Sequence, residues 1–135
     1  MLTTELINPQ IISALAKCGH GDKILISDAN YPIVSKSGNA EKIYLALSRD
    51  CPTATKVLEV LKTVINFEKM ELMVPDDGPE PAIFAEYKEI LPECDIEEHS
   101  RYEFYDACCE DNVKVAILSG ESRVYANILL TIGVA

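Results

Sequence analysis

Nowhere in these 135 residues is there a run of the ~20 apolar residues that a bilayer span needs. Cations are scarce as well: 12 Lys and Arg face 22 Asp and Glu, a formal charge of −10. Nucleic acids and anionic membranes are both held by lysine and arginine, so this balance argues against either as a partner. The five cysteines are odd in number and contain no C-x-x-C pair. That pattern suits neither a zinc site nor a disulfide framework, and reduced thiols are expected. G-x-G-x-x-G, the P-loop, G-x-S-x-G and H-E-x-x-H are all missing, so no cofactor and no metal is expected. The start, Met1-Leu2-Thr3-Thr4-Glu5, lacks the basic and apolar regions of a secretion signal, which sets a cytoplasmic location as the expectation. A small neutral ligand remains open.

What is present is core material. Hydrophobic residues make up 48% and charged residues 25%, and a domain of this size buries roughly 68–70% of the surface its unfolded chain would expose. No repeat, linker or low-complexity tract divides the chain, so 1–135 reads as a single domain. Asn8-Pro9 predicts a helix start, with Ile11, Ile12, Leu15 and Ala16 as its apolar stripe. Gly19 and Gly21 end it, and Lys23 to Ser27 reads as a buried strand. A loop is expected over Asp28 to Pro32 and another over Ser35 to Glu41. Ile43 to Leu47 predicts a strand, and Pro52 opens a helix bearing Val57, Leu58 and Leu61. Met70, Leu72 and Val74 alternate as a strand does. Asp76-Asp77-Gly78-Pro79 breaks the chain before a helix with Ile83, Phe84, Tyr87, Ile90 and Leu91 on one side. Arg101 to Cys109 predicts a short helix, and Val113 to Leu118 and Asn127 to Ile132 predict apolar strands. The alternation implies an α/β fold: one three-layer α/β/α domain around a mostly parallel or mixed sheet.

With the core positions set aside, a few polar residues remain as candidates for chemistry. His20 sits between Gly19 and Gly21, where neighbouring side chains leave its imidazole open, and histidine titrates near neutrality. The plainer alternative is a residue in a helix-ending turn. Asp28 follows a strand, where open α/β sheets bind ligands; an ordinary turn aspartate is its alternative. Ser119 to Asn127 lies between two strands, and its Tyr125 reads equally as a packing residue. His99, among Glu97, Glu98 and Arg101, reads as part of an exposed charged loop rather than as a metal ligand. Cys108 and Cys109 are adjacent in a helix and therefore point apart.

Together these clusters resemble the family of D-ribose pyranases and L-fucose mutarotases. Gly19-His20-Gly21-Asp22, the apolar strand and Asp28-Ala29-Asn30-Tyr31-Pro32 are similar to the family's G-H-x-D, strand, D-A-x-x-P pattern. Gly120-Glu121 leading to Tyr125-Ala126-Asn127-Ile128-Leu129-Leu130 resembles its G-E-x-x-x-Y-[AG]-N-I-x-L ending. The matches stand about a hundred residues apart and in the family's order. Arg101-Tyr102-Glu103-Phe104-Tyr105 resembles the fucose branch, whereas Lys42 to Leu47 with Cys51-Pro52 is closer to the ribose branch. Both branches usually show Arg-x-Asp where this chain has Lys42-Ile43-Tyr44.

The resemblance implies a cofactor-free enzyme that opens and recloses the ring of a free monosaccharide, with L-fucose ahead of D-ribose. A non-catalytic sugar-binding module on the same fold is the contrasting alternative, with Tyr44 marking its decayed site. His20 and Tyr125 are the expected catalytic residues. Asp28, Arg101, Tyr125, Ala126 and Asn127 are the expected contacts to the sugar. The resemblance further implies a homo-oligomeric ring, a decamer, with sites shared between subunits. Shared sites would also answer a geometric difficulty. Residues 20 and 28 flank a strand rising about 3.3 Å per residue, so when fully extended they could not both touch one small sugar. Either the Gly21-Asp22 turn and a short strand fold the path back, or the two belong to different sites.

Overall fold

The computed structural model describes residues 1–135. Ten elements follow in the order α1 (Pro9–Ala16), β1 (Lys23–Ser27), β2 (Glu41–Tyr44), α2 (Ala54–Leu61), β3 (Phe67–Met73), α3 (Ala82–Ile90), β4 (Asp95–His99), α4 (Arg101–Cys108), β5 (Val113–Leu118) and β6 (Ile128–Ile132). The six strands form one sheet in the order β2-β5-β1-β6-β3-β4. β1 and β2 both run parallel to β5, β3 runs parallel to β4, and β6 is antiparallel to β1 and to β3. Five strands therefore point one way, and their carboxyl ends share one edge of the sheet.

The sheet is covered on both faces, as the strand and helix alternation implies. On one face Ile24, Ile26, Met70, Leu72, Leu130 and their neighbours pack under α1, α2 and α3 in a 22-residue core. On the other, Leu25, Met73, Ala116 and Leu129 meet α4 and the loop bearing Tyr31 and Ile33. Strand residues thus alternate between two layers, which is why Ile24 to Ile26 in β1 and Ile128 to Leu130 in β6 read as continuous apolar runs. Capping sets the helix starts. Asn8 accepts from the Ile11 nitrogen, Thr53 from Lys56, and Ser100 forms a reciprocal capping box with Glu103.

The structure corrects several boundaries. The β2 strand spans Glu41–Tyr44 rather than 43–47, because the nitrogens of Leu45 and Ala46 both reach the one Leu118 carbonyl and the chain then leaves the sheet. Helix α2 begins at Ala54 behind its Thr53 cap, not at Pro52. Val74 lies beyond β3, and that strand starts earlier, at Phe67.

The larger correction is β4. The segment from Asp95 to His99 is an edge strand in register with β3, not a loop. Its charges pair across the ladder, His99 Nε2 with Glu71 Oε1 at 2.8 Å and Lys69 with Glu97. Charged side chains on an open edge also deter pairing with other chains.

Candidate functional site

The carboxyl edge of the sheet carries a cleft of about 180 Å³. Asp28, Asn30 and Tyr31 enter it from the turn after β1, and Tyr125 and Asn127 from the segment before β6. Arg101 and Tyr105 come from the first turn and a half of α4, where four-residue spacing puts both on one side. Met73, at the end of β3, and Val124 complete the apolar part of the lining. This is the position at which open α/β sheets bind ligands.

Asp28 is its most constrained polar group. The side chain is buried (3% exposed), yet its Oδ1 accepts from the Asn30 nitrogen at 2.9 Å and its Oδ2 from the Ala126 nitrogen at 3.4 Å. It is thus the turn aspartate of the plainer reading and also a strut to a segment almost a hundred residues away. Burial pushes its carboxyl above the usual carboxylate range, and bonds from the Asn30, Ala126 and Tyr31 backbone and the Asn127 side chain work against that rise. Asn127 accepts from the Asp28 nitrogen through Oδ1 at 2.8 Å, which leaves its NH2 group as a donor at the cleft it lines.

Tyr125 has φ 57°, the left-handed region that a bulky residue adopts only when its surroundings force it. The segment leading into it is braced by several bonds. Glu121, buried at 1% exposure, accepts from the Arg123 nitrogen and from Arg123 Nε at 2.9 Å, and from the Ala54 nitrogen at the start of α2. Burial raises the Glu121 carboxyl, but the bonds from Arg123 and Ala54 outweigh it and the net shift is downward. Arg123 reaches on to Glu86 of α3. Gly120 completes the anchorage: a Cβ there would lie 2.9 Å from the Cys51 nitrogen, so only glycine lets the two loops meet.

Arg101 is exposed, with its guanidinium 5.6 Å from the ring centroids of both Tyr102 and Tyr105 and its Nε donating to the Tyr105 hydroxyl at 3.1 Å. Its two terminal nitrogens make no bond within the chain. Tyr105 packs edge-on to Tyr31 at 5.5 Å, and the Tyr31 hydroxyl donates to the Lys36 carbonyl at 2.6 Å, tying the 28–40 loop to α4.

The structure therefore brings Asp28, Arg101, Tyr125 and Asn127 together and leaves two of the expected residues elsewhere. Ala126 stands behind the cleft wall with no exposed surface, its N–H on Asp28 and its carbonyl on the Tyr87 hydroxyl. His20 lies at the opposite, amino edge of the sheet, across the five residues of β1, about 17 Å of extended strand. There its side chain is 57% exposed and its Nε2 stands 3.1 Å from Glu68 Oε2. It forms part of the rim of a second hollow, about 830 Å³, built largely from apolar residues such as Leu2, Leu15, Val64 and Val134. Tyr44, at the end of β2, is 59% exposed and outside the cleft.

Sequence reading did not single out Tyr31, Met73 or Tyr105 as lining residues. The i, i+4 spacing of Arg101 and Tyr105 was the available signal for one of them.

One other cluster has ligand atoms within 4.8 Å of one another: Glu71, Glu97 and His99. Lys23 Nζ lies 2.9 Å from Glu71 Oε2 and Lys69 pairs with Glu97, so both carboxylates are already matched by cations. It is a mixed-charge network that ties β1, β3 and β4 together. All five cysteines are free, with Cys108 buried at the end of α4 and Cys109, the residue that caps that helix, exposed. Burial pushes the Cys108 thiol up to about 12.

Known proteins match the chain from end to end. It is 31% identical over 134 residues to the D-ribose pyranase of Clostridium botulinum, covering 99% of this chain and 98% of that protein. The D-ribose pyranase of Coprothermobacter proteolyticus is 33% identical with the same coverage. Among solved structures, Bacillus subtilis RbsD complexed with D-ribose superposes with a TM-score of 0.87 at 28% identity, covering 100% of this chain and 99% of that one. The fucose mutarotase of Streptococcus pneumoniae complexed with L-fucose has the same fold, with a TM-score of 0.84 at 23% identity over 100% and 99% of the two chains. The family model described as the RbsD / FucU transport protein family matches residues 1–135, and the chain belongs to that family.

Proposed function

We propose that the protein is an isomerase that opens and recloses the ring of a free monosaccharide by general acid–base chemistry. The observation that carries this reading is the convergence of Asp28, Tyr125, Asn127 and Arg101 on one small cleft. Its volume of about 180 Å³ is on the scale of a single sugar ring, and its polar groups supply both donors and acceptors for hydroxyls. In the forward step the anomeric hydroxyl loses its proton, the bond from the anomeric carbon to the ring oxygen breaks, and the ring oxygen gains a proton. Rotation in the open-chain aldehyde and reversal of these transfers give the other form. No electrons are exchanged, so the step needs only groups that give and take protons.

Asp28 and the Asn127 amide hold hydroxyls, Arg101 adds donors through its free terminal nitrogens, and Tyr125 serves as one proton-transfer group. His20 is the other, supplied by an adjacent copy. Its exposure and its place on the rim of the broad apolar hollow support that arrangement, as does the strand length that keeps it from its own cleft. A homo-oligomeric ring, decameric as the resemblance implies, meets this requirement, because a heterologous contact repeated around an axis places one chain's amino edge against the next chain's carboxyl edge.

L-fucose is the sugar favoured by the Arg101–Tyr105 platform, which resembles the fucose branch. D-ribose is the second reading, favoured by the full-length similarity to D-ribose pyranases. Saturation-transfer NMR on each sugar tests the proposal: accelerated exchange between ring forms, absent in His20→Ala, supports it. Binding without acceleration would identify a sugar-binding module instead. Dialysis against a chelator is expected to leave the rate intact, and a strict metal requirement would remove the acid–base scheme.

A further inference from the structure

The sequence assigns Tyr87 to the apolar stripe of α3, and its burial agrees, since it is 0% exposed within the core on the side of the sheet away from the cleft. Its hydroxyl is not idle, however. It donates to the Ala126 carbonyl at 2.5 Å, the one side-chain bond that reaches this carbonyl. The same residue's N–H is taken by Asp28 Oδ2 from the cleft side. Ala126 is thus held at both of its backbone groups, between the left-handed Tyr125 and the cleft-lining Asn127. We propose that Tyr87 is a positioning residue for the sugar site: its buried hydroxyl, acting from the far layer through Ala126, sets the backbone that aims Tyr125 and Asn127 into the cleft.

Two physical points support this. A bulky residue at positive φ stays there only while neighbouring bonds over-determine it, and Tyr87 supplies one of the bonds next to Tyr125. Burial also keeps the phenol protonated, with the nearby Glu121 carboxylate adding to that effect, so the hydroxyl remains a donor at working pH. A phenylalanine at 87 would fill the same space, which separates the hydroxyl's role from the ring's packing.

The inference rests on the proposed sugar chemistry, and two readouts keep them apart. Tyr87→Phe is expected to remain folded and to lower kcat for ring opening about tenfold with KM changed less than about twofold, since the loss falls on aim rather than on bulk packing. Hydrogen exchange of the Ala126 amide is expected to quicken about tenfold while amides of the central β1 strand hold. In a Tyr125→Phe background the kinetic loss from Tyr87→Phe should shrink to the part that acts through Asn127, because the share that acts through the Tyr125 hydroxyl is already gone. Unchanged kcat, unchanged Ala126 exchange, or fully additive losses would each overturn the inference. If the native protein accelerates exchange of neither sugar, the proposed function fails, and the Ala126 exchange alone then decides whether Tyr87 holds this segment. Should Tyr87→Phe not fold, site-specific fluorination of the Tyr87 ring must move the Ala126 carbonyl 13C resonance; no movement overturns the inference.

Discussion

The two edges of the sheet are built in contrasting ways. At the carboxyl edge, Asp28, Glu121 and Asn127 are each nine-tenths or more buried, and their side chains bond to backbone from distant parts of the chain. At the amino edge, His20 stands out in solvent on a glycine-flanked turn with only Glu68 as a side-chain partner. Gly21 has φ 90° there, a conformation open to glycine, and its nitrogen ties the turn to the Ile132 carbonyl. The first edge is braced by bonds from distant parts of one chain, whereas the second presents an exposed histidine on the rim of an apolar hollow. On the proposed reading, the edge that would hold the sugar is locked and the edge that would meet a neighbouring copy is left open.

The contrast can be broken by mutation. The largest effect is expected from His20→Ala, which should cut the ring-opening rate by about 10²–10⁴-fold, the usual range for a lost acid–base group. Melting should stay within about 0.5 kcal/mol of native stability, since the side chain is exposed. Progress curves by saturation transfer and a denaturant titration check both halves. A His20→Ala protein with native rates would make the amino edge a bystander. Tyr125→Phe comes next, with a loss of about 10²-fold if the phenol moves a proton. The same NMR assay decides it.

Arg123→Ala sharpens the contrast from the stability side. It removes the bonds that Arg123 makes to buried Glu121, at a cost of about 2 kcal/mol near neutral pH by urea unfolding. The sign with pH follows from the lowered Glu121 value. The native state favours the carboxylate more than the unfolded state does, so its contribution is present above the ordinary glutamate value of 4.5 and drains away as pH falls below it. The gap between native and Arg123→Ala stability should therefore narrow in acid, and a gap that widens there would contradict the assignment. The smallest effect is expected at Cys109→Ser, an exposed thiol at the end of α4, with stability and rate both within experimental scatter.

Most of the fold was legible because burial on both faces leaves an unmistakable trace. The apolar runs of β1 and β5 match the observed strands residue for residue, and α1 starts where Asn8-Pro9 predicts. β4 was not legible, since four of the five residues of Asp95-Ile96-Glu97-Glu98-His99 are exposed and the segment owes its strand geometry to pairing with β3. Within the cleft, Asp28, Arg101, Tyr125 and Asn127 were all named from sequence, whereas Met73 and Tyr31 looked like core and turn. Their second face becomes visible only once strand ends are brought side by side. Tyr87 and Ala126 show the same limit in reverse: one reads as packing and the other as contact, while the structure makes them two ends of one hydrogen bond.

Mixing two inactive proteins tests the division of labour between the edges most directly. His20→Ala keeps an intact cleft, and Asp28→Ala keeps an intact histidine. Co-refolded in equal amounts, they should recover roughly a quarter of the native ring-opening rate, as random neighbours reunite one good cleft with one good imidazole across a head-to-tail contact. A mixture as inactive as its components would contradict the account and place His20 outside the reaction carried out at the cleft.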